Sequence, residues 1–285
     1  LLGAKEVPVD AYYGIHTLRA IENFQISNVK IGQSPHFIRA LGFVKKAAAQ
    51  TNFYFQRITA QQLAAIEYGA DRLIEHPEKW AESFPIDVYQ GGAGTSVNMN
   101  CNEVIANIGL EFLGLNKGNY GELHPNDHVN KSQSTNDVYP TALRISLYQQ
   151  LDDLLQVLAD LISTIRLKAD EYKFALKMGR TQLQDAVPMT VGQEFNAFAT
   201  LLNEDLRLID QMRQLLLEIN LGATAIGTGV NSPVGYAHRI TENLSQLTGL
   251  SFKGAEDYIE ATSDCGVFII ISSTLKRLAC KLSKI

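Results

Sequence analysis

The run His124-Pro-Asn-Asp-His-Val-Asn-Lys-Ser-Gln-Ser-Thr-Asn-Asp137 gathers imidazole, amide, hydroxyl, ammonium and carboxylate groups. An apolar-periodic segment from Val138 to Leu167 follows at once, so a dense polar loop opens a long helix. Ser134-Thr-Asn-Asp137 offers four N-cap residues, and Pro140 suits a first helical turn. The N–H groups at a helix start are unpaired and carry partial positive charge, so hydroxyls and an amide placed there can cradle a carboxylate. The same residues would serve equally well simply to cap the helix and close the loop, so other stretches must agree before a function follows.

Three do. In Gly91-Gly-Ala-Gly-Thr-Ser-Val-Asn-Met-Asn100, glycines precede Thr95 and Ser96 and a helical apolar pattern follows, again a hydroxyl-bearing loop at a helix start. No Gly-Lys-Ser/Thr ends it, so it is not a phosphate loop, and glycines alone also serve tight turns. Lys177–Thr190 reads as a polar loop containing Arg180, Thr181 and Gln182, and Gly222–Gly229 as a Gly/Thr loop. Arg19 could clamp a carboxylate, although a lone arginine serves a surface or subunit contact as readily.

The elements that must hold these loops are mainly helical. Phe37, Ala40, Leu41, Val44, Ala47 and Ala48 predict a helix over 36–55, and Thr59-Ala-Gln-Gln62 is a capping box for the next, with Pro77 and Pro85 beyond it. Helices are predicted after Ser96 to Phe112, from about Asp137 to about Glu171, from the Thr190-Val-Gly-Gln193 capping box to near Asn220, from Tyr236 to Leu247, and from near Glu256 onward. The expected domains are residues 1–135, small and mainly helical, and 136–285, the first part of a long-helix bundle. The last helix reaches Ile285 without a C-cap, so more polypeptide is expected to follow.

The 285 residues are 46% apolar and 19% charged, enough for a sizeable core. A net charge of −5 argues against nucleic acid as a partner. Apolar runs are too short for a bilayer and no basic, apolar leader opens the chain, so a cytoplasmic, membrane-free protein is expected. Three widely spaced cysteines, Cys101, Cys265 and Cys280, fit a reducing compartment and no structural zinc. His16, His36, His76, His128 and His238 fall into no ligand spacing.

Together with Gly222–Asn231, the stretches Ala11–Phe24, Gly91–Asn100, His124–Asp137 and Gly179–Thr190 closely resemble the aspartase/fumarase superfamily over essentially the whole chain. Within it the chain is most similar to the aspartate ammonia-lyases: fumarases tend to carry Trp where Tyr13 stands. The resemblance implies a mainly α fold of aspartase/fumarase type, with long helices shared in the core of a homotetramer and an active site built from three subunits. It implies reversible loss of ammonia from L-aspartate to give fumarate, through an aci-carboxylate whose doubled negative charge needs preplaced donors. It assigns substrate binding to Thr95, Ser134, Thr135, Asn136, Thr181 and Gln182, and a possible second carboxylate site to His124, Asn126 and Asp127. Gln182 stands where many members have His. A protonated amine can leave as ammonia without an acid, whereas hydroxide cannot, so Gln suits an ammonia-lyase better than a hydratase. No cofactor is implied, with a divalent cation at most an activator.

The family's catalytic serine, in a loop Gly-Ser-Ser-x-Met-Pro-x-Lys-x-Asn, is not found and is expected after Ile285. Fumarate hydratase is the nearest alternative, and a non-enzymatic helical assembly protein the alternative of another class. The 285 residues alone are therefore expected to show no lyase activity; ammonia release or fumarate absorbance from them on adding aspartate would contradict this.

Overall fold

The computed structural model describes residues 5–92 and 94–285; the start of the chain read for a leader, residues 1–4, and Ala93 of the glycine loop lie outside the described residues. The chain runs α1 (Ile15–Asn23), α2 (Pro35–Tyr54), α3 (Ala60–Glu75), α4 (Thr95–Phe112), α5 (Thr135–Glu171), β1 (Leu176–Thr181), β2 (Gln184–Thr190), α6 (Val191–Arg213), β3 (Glu218–Ile219), α7 (Tyr236–Thr248), β4 (Lys253–Gly254), α8 (Tyr258–Ser263) and α9 (Gly266–Lys284). Apolar spacing placed α2, α3, α4, α5 and α7 to within a few residues and the start of α6, which stops at Arg213 rather than near Asn220; α1 and the four short strands were not read from it. Both expected capping boxes form: Thr59 with Gln62 at 3.0 and 3.2 Å, and Thr190 with Gln193 at 2.9 and 3.1 Å.

Two compact units result. One holds Leu1–Leu147 with Leu217–Asp264, the other Tyr148–Leu216 with Cys265–Ile285. The division expected between 135 and 136 thus falls inside the first unit. The start of α5 belongs there because its Asp137 carboxylate binds the backbone of Gly222 and Thr224.

In the first unit α2, α3, α4 and α7 pack around Leu41, Val44, Ile66, Leu73, Ile105, Leu110 and Leu244, all fully buried, and β3 pairs in parallel with β4. Helix α1 has no side-chain cap of its own. Glu103 of α4 supplies one from outside: its buried carboxylate accepts the N–H groups of Gly14, His16 and Thr17 at 2.8, 2.8 and 3.1 Å and the Thr17 hydroxyl at 2.6 Å.

In the second unit α6 packs on α9, burying Leu202, Ile209, Ile271 and Leu278. Fully buried Asp205 joins the two helices, with Arg277 at 3.0 Å and Lys281 at 2.8 Å. Much apolar surface stays exposed in this unit, including Val157, Leu167, Phe174, Leu176 and Ile269.

Three expectations need correction. Residues 177–190 form an antiparallel hairpin with a register shift between Met178 and Arg180, rather than an open loop. The last helix is broken: Asp257 caps the short α8 through Ile259 and Glu260, and extended Asp264 interrupts the helix before Cys265 starts α9. Pro140 lies beyond the first turn of α5, because the helix begins at Thr135. A proline there has no N–H for the carbonyl four residues back. That carbonyl is Asn136's, and the Asn220 side-chain amide donates to it at 3.0 Å instead.

Glu103→Gln leaves one acceptor oxygen where two served four donors. It is expected to cost about 2–3 kcal/mol in urea unfolding, the range for losing charge-assisted bonds in a buried site.

Candidate active site

The first unit brings two helix N-termini together. Gly94, with φ +94°, is the N-cap of α4, and a Cβ there would run into the ring of Tyr139 in α5. Only glycine allows this approach at this backbone conformation. Thr95, exposed, and partly buried Ser96 follow it; Ser134 and Thr135 open α5. Asn98, fully buried one turn into α4, donates to Thr135 Oγ1 at 3.1 Å and to Asn130 Oδ1 at 3.1 Å.

Each α5 hydroxyl accepts from the protein. Ser134 Oγ takes the Asn136 N–H at 3.2 Å, and Thr135 Oγ1 takes the Asn98 amide. An oxygen used as an acceptor keeps its own proton to donate. Asn136 Nδ2 gives one hydrogen to the Ala225 carbonyl at 2.7 Å and keeps a second.

Behind them lies Lys45 of α2, fully buried, with Nζ donating to Asn98 Oδ1, Asn130 Oδ1 and Gln133 Oε1 at 2.7, 2.9 and 2.9 Å. Three amide oxygens use all three ammonium hydrogens, the arrangement a buried lysine needs. Burial lowers its pKa to about 8, with Cys101 and Asp137 acting the other way. Burial likewise pushes the Cys101 thiol up to about 12, so it is a core residue and not a nucleophile.

Asp137 is also fully buried. Its Oδ1 accepts the Ser134 N–H at 3.0 Å, and its Oδ2 accepts Gly222 N–H at 3.2 Å and Thr224 N–H at 2.8 Å. Burial raises its pKa to about 7, while the N–H groups of Ser134, Thr224 and Gly222 and the charge of Lys45 work to lower it. One carboxylate thus caps α5 and ties down the Gly222–Gly229 loop.

The structure therefore joins Ser134, Thr135 and Asn136 to the α4 start, where Thr95 stands. Thr181 and Gln182 belong to the second unit, at the tip of the β1–β2 hairpin. Both are exposed, and Gln182 and Leu183 form a two-residue turn with φ +49° and +64°. A type I′ turn asks for left-handed residues at both positions, usually Asn-Gly, so this tip is conformationally strained. His124 spends its Nδ1 on its own short turn, accepting from Asn126 and Asp127 N–H, both at 3.2 Å; Asp127 lies 3.4 Å away. Arg19 is part of α1 in the first unit. Among the described residues no His/Cys/Asp/Glu group could hold a metal ion.

Lys45, Asn98, Asn220 and the bridging role of Asp137 escaped sequence reasoning. Lys45 did leave a signal: it lies four residues after Leu41 and three before Ala48, on the apolar face of its helix. Nothing local predicts which oxygens it meets, because they are 53, 85 and 88 residues away.

The chain matches the lyase family over residues 3–285. It is 56% identical to aspartate ammonia-lyase of Escherichia coli (strain K12), over 100% of this chain and 59% of that protein. It is 53% identical to aspartate ammonia-lyase of Corynebacterium glutamicum, over 100% and 54%. Among solved structures, the cobalt-bound fumarate lyase:delta crystallin of Brucella melitensis is 48% identical with a TM-score of 0.97, covering 99% of this chain and 61% of that one. Recombinant class II fumarase from Schistosoma mansoni is 32% identical with a TM-score of 0.88, covering 97% and 60%. The chain spans about three-fifths of the length of these relatives.

Lys45→Met leaves the buried Asn98 oxygen and the half-buried Gln133 oxygen without their donor, while Asn130 Oδ1 keeps the Asn98 amide. It is expected to cost about 1–3 kcal/mol, the range for an unsatisfied buried acceptor. The pH dependence has a definite sign. The folded pKa is about 8 against 10.5 unfolded, so between these values the unfolded chain holds more protons and stability rises with pH. Denaturant titrations from pH 8 to 10.5 are expected to show this rise in the wild type and its loss in Lys45→Met.

Proposed function

Because the chain belongs to the lyase family, we propose that the whole protein is an aspartate ammonia-lyase, eliminating ammonia reversibly from L-aspartate to give fumarate. The observation that carries this reading is the state of the two α5 hydroxyls. Ser134 and Thr135 each accept a bond from the protein, which leaves each proton to donate to an anion at two adjoining helix N-termini.

Removing the Cβ proton of aspartate places a second negative charge on the adjacent carboxylate. Donors already oriented for that charge stabilise the intermediate more than the substrate, which is what raises the rate. Thr95, Ser134 and Thr135, with the free hydrogen of Asn136, are the donors proposed from the first unit. Lys45 lies behind them and orients Asn98, which in turn orients Thr135. Thr181 and Gln182 are proposed as donors brought by a neighbouring subunit. The exposed apolar side chains of the second unit support burial in a homotetramer, since isolated soluble domains rarely leave so many uncovered. His124, Asn126 and Asp127 are proposed as a second carboxylate contact, through the His124 ring edge that the turn leaves unused. The reaction is proposed to need no cofactor, with a divalent cation as activator only, in the cytoplasm, without nucleic acid or membrane as partner. No described helix is long and apolar enough to cross a membrane.

Fumarate hydratase is the second reading, favoured by the similarity to a class II fumarase; Gln182 in place of an acid argues for ammonia over water as the leaving group. Malate formation from fumarate, measured against ammonia from aspartate, separates the two.

Thr181→Val in the full-length protein exchanges an exposed hydroxyl for a methyl group and should leave the fold intact. Turnover of aspartate is expected to fall about 100-fold or more, the usual effect of losing one such donor, with an unchanged melting temperature. A helical assembly protein without activity would show no turnover to lose.

A further inference from the structure

A cavity of about 480 Å³ in the first unit is lined by Arg57, Lys131, Ser132, Asn231 and Ser232. It shares no residue with the donor cradle. Its lining has two cations and no acid, in a chain whose net charge is −5. Among the described residues neither Arg57 nor Lys131 forms an ion pair. Two like charges facing one cavity repel, and an anion between them relieves the repulsion.

One buried residue, Asn52, ties down the backbone of both cation-bearing residues. The Asn52 carbonyl accepts the Arg57 N–H at 2.8 Å, and the Asn52 side-chain amide donates to the Lys131 carbonyl at 2.8 Å. The Lys131 carbonyl also takes the Gln133 amide at 3.1 Å. The third wall comes from the turn before α7, where Ser232 bonds Gly229 O through both its N–H and its hydroxyl, at 3.1 and 2.7 Å. Ser132 and Asn231 hold left-handed backbone, φ +59° and +70°. The backbone around the cavity is thus fixed by bonds inside the protein, while the charged ends of Arg57 and Lys131 and the Ser132 hydroxyl remain for a ligand.

We propose that this cavity is an anion-binding site for a small oxyanion carrying two negative charges, a phosphate or a dicarboxylate. The guanidinium presents two parallel N–H donors to a pair of oxygens, the ammonium meets a third oxygen, and Ser132 and Asn231 add neutral donors. The site stands on its own lining and does not depend on the lyase reading.

Equilibrium dialysis of the full-length protein against radiolabelled inorganic phosphate, and separately against succinate, tests it in the wild type and in Arg57→Gln/Lys131→Gln. The wild type is expected to bind one more equivalent per subunit of at least one probe, with affinity about tenfold or more above the double variant. Loss of phosphate alone identifies a phosphate ligand, and loss of succinate alone a carboxylate. Arg57→Gln by itself changes one exposed side chain and is expected to weaken the same binding if the double variant folds poorly. Equal binding of both probes by wild type and Arg57→Gln, or by wild type and a folded double variant, overturns the proposal.

Discussion

A carboxylate taken wholly out of water must be met by donors, and in this protein the donors that meet Asp137 come from two places far apart in the chain. Ser134 N–H lies three residues away, Gly222 and Thr224 N–H more than eighty. Satisfying one buried group therefore fixes both the first turn of α5 and the loop that crosses it. Asn136 and Asn220 extend the same junction: the Asn136 amide holds Ala225 O, and the Asn220 amide fills the carbonyl that Pro140 leaves open. An unsatisfied buried group here would cost as much as several ordinary contacts contribute.

Lys45 plays the matching part on the other side of Thr135. Its charge is buried at the junction of α2, α4 and the 130–133 segment, with three amide oxygens in place of water. Asn98 passes that order on, accepting from Lys45 with its oxygen and donating to Thr135 with its nitrogen. The Thr135 hydroxyl at the start of α5 is thus oriented by a chain of bonds beginning in the core. Preorganisation of this kind spares a site the cost of turning its dipoles as charge develops.

The two units hold their polar residues differently. In the first, the candidate donors rest on buried lysine, carboxylate and amide groups. In the second, Thr181 and Gln182 occupy the strained tip of an exposed hairpin. Nothing among the described residues packs on that tip in the way the buried lysine, carboxylate and amides back the first unit's hydroxyls.

Much of this was legible in the residues themselves. The helices follow from apolar spacing, and the capping boxes at Thr59 and Thr190 from a four-residue code, because both act within a turn or two of backbone. The motif stretches at Gly91–Asn100 and His124–Asp137 announced hydroxyls at helix starts for the same local reason. What tertiary structure alone decided is where long-range partners fall: three oxygens for Lys45, two distant N–H groups for Asp137, an asparagine for the carbonyl opposite Pro140, and Glu103 as the cap of α1. It also decided that residues 177–190 pair as strands and that the last helix breaks at Asp264. Those outcomes depend on which surfaces meet and which buried polar atoms must then find each other, and no window of neighbouring residues carries that information.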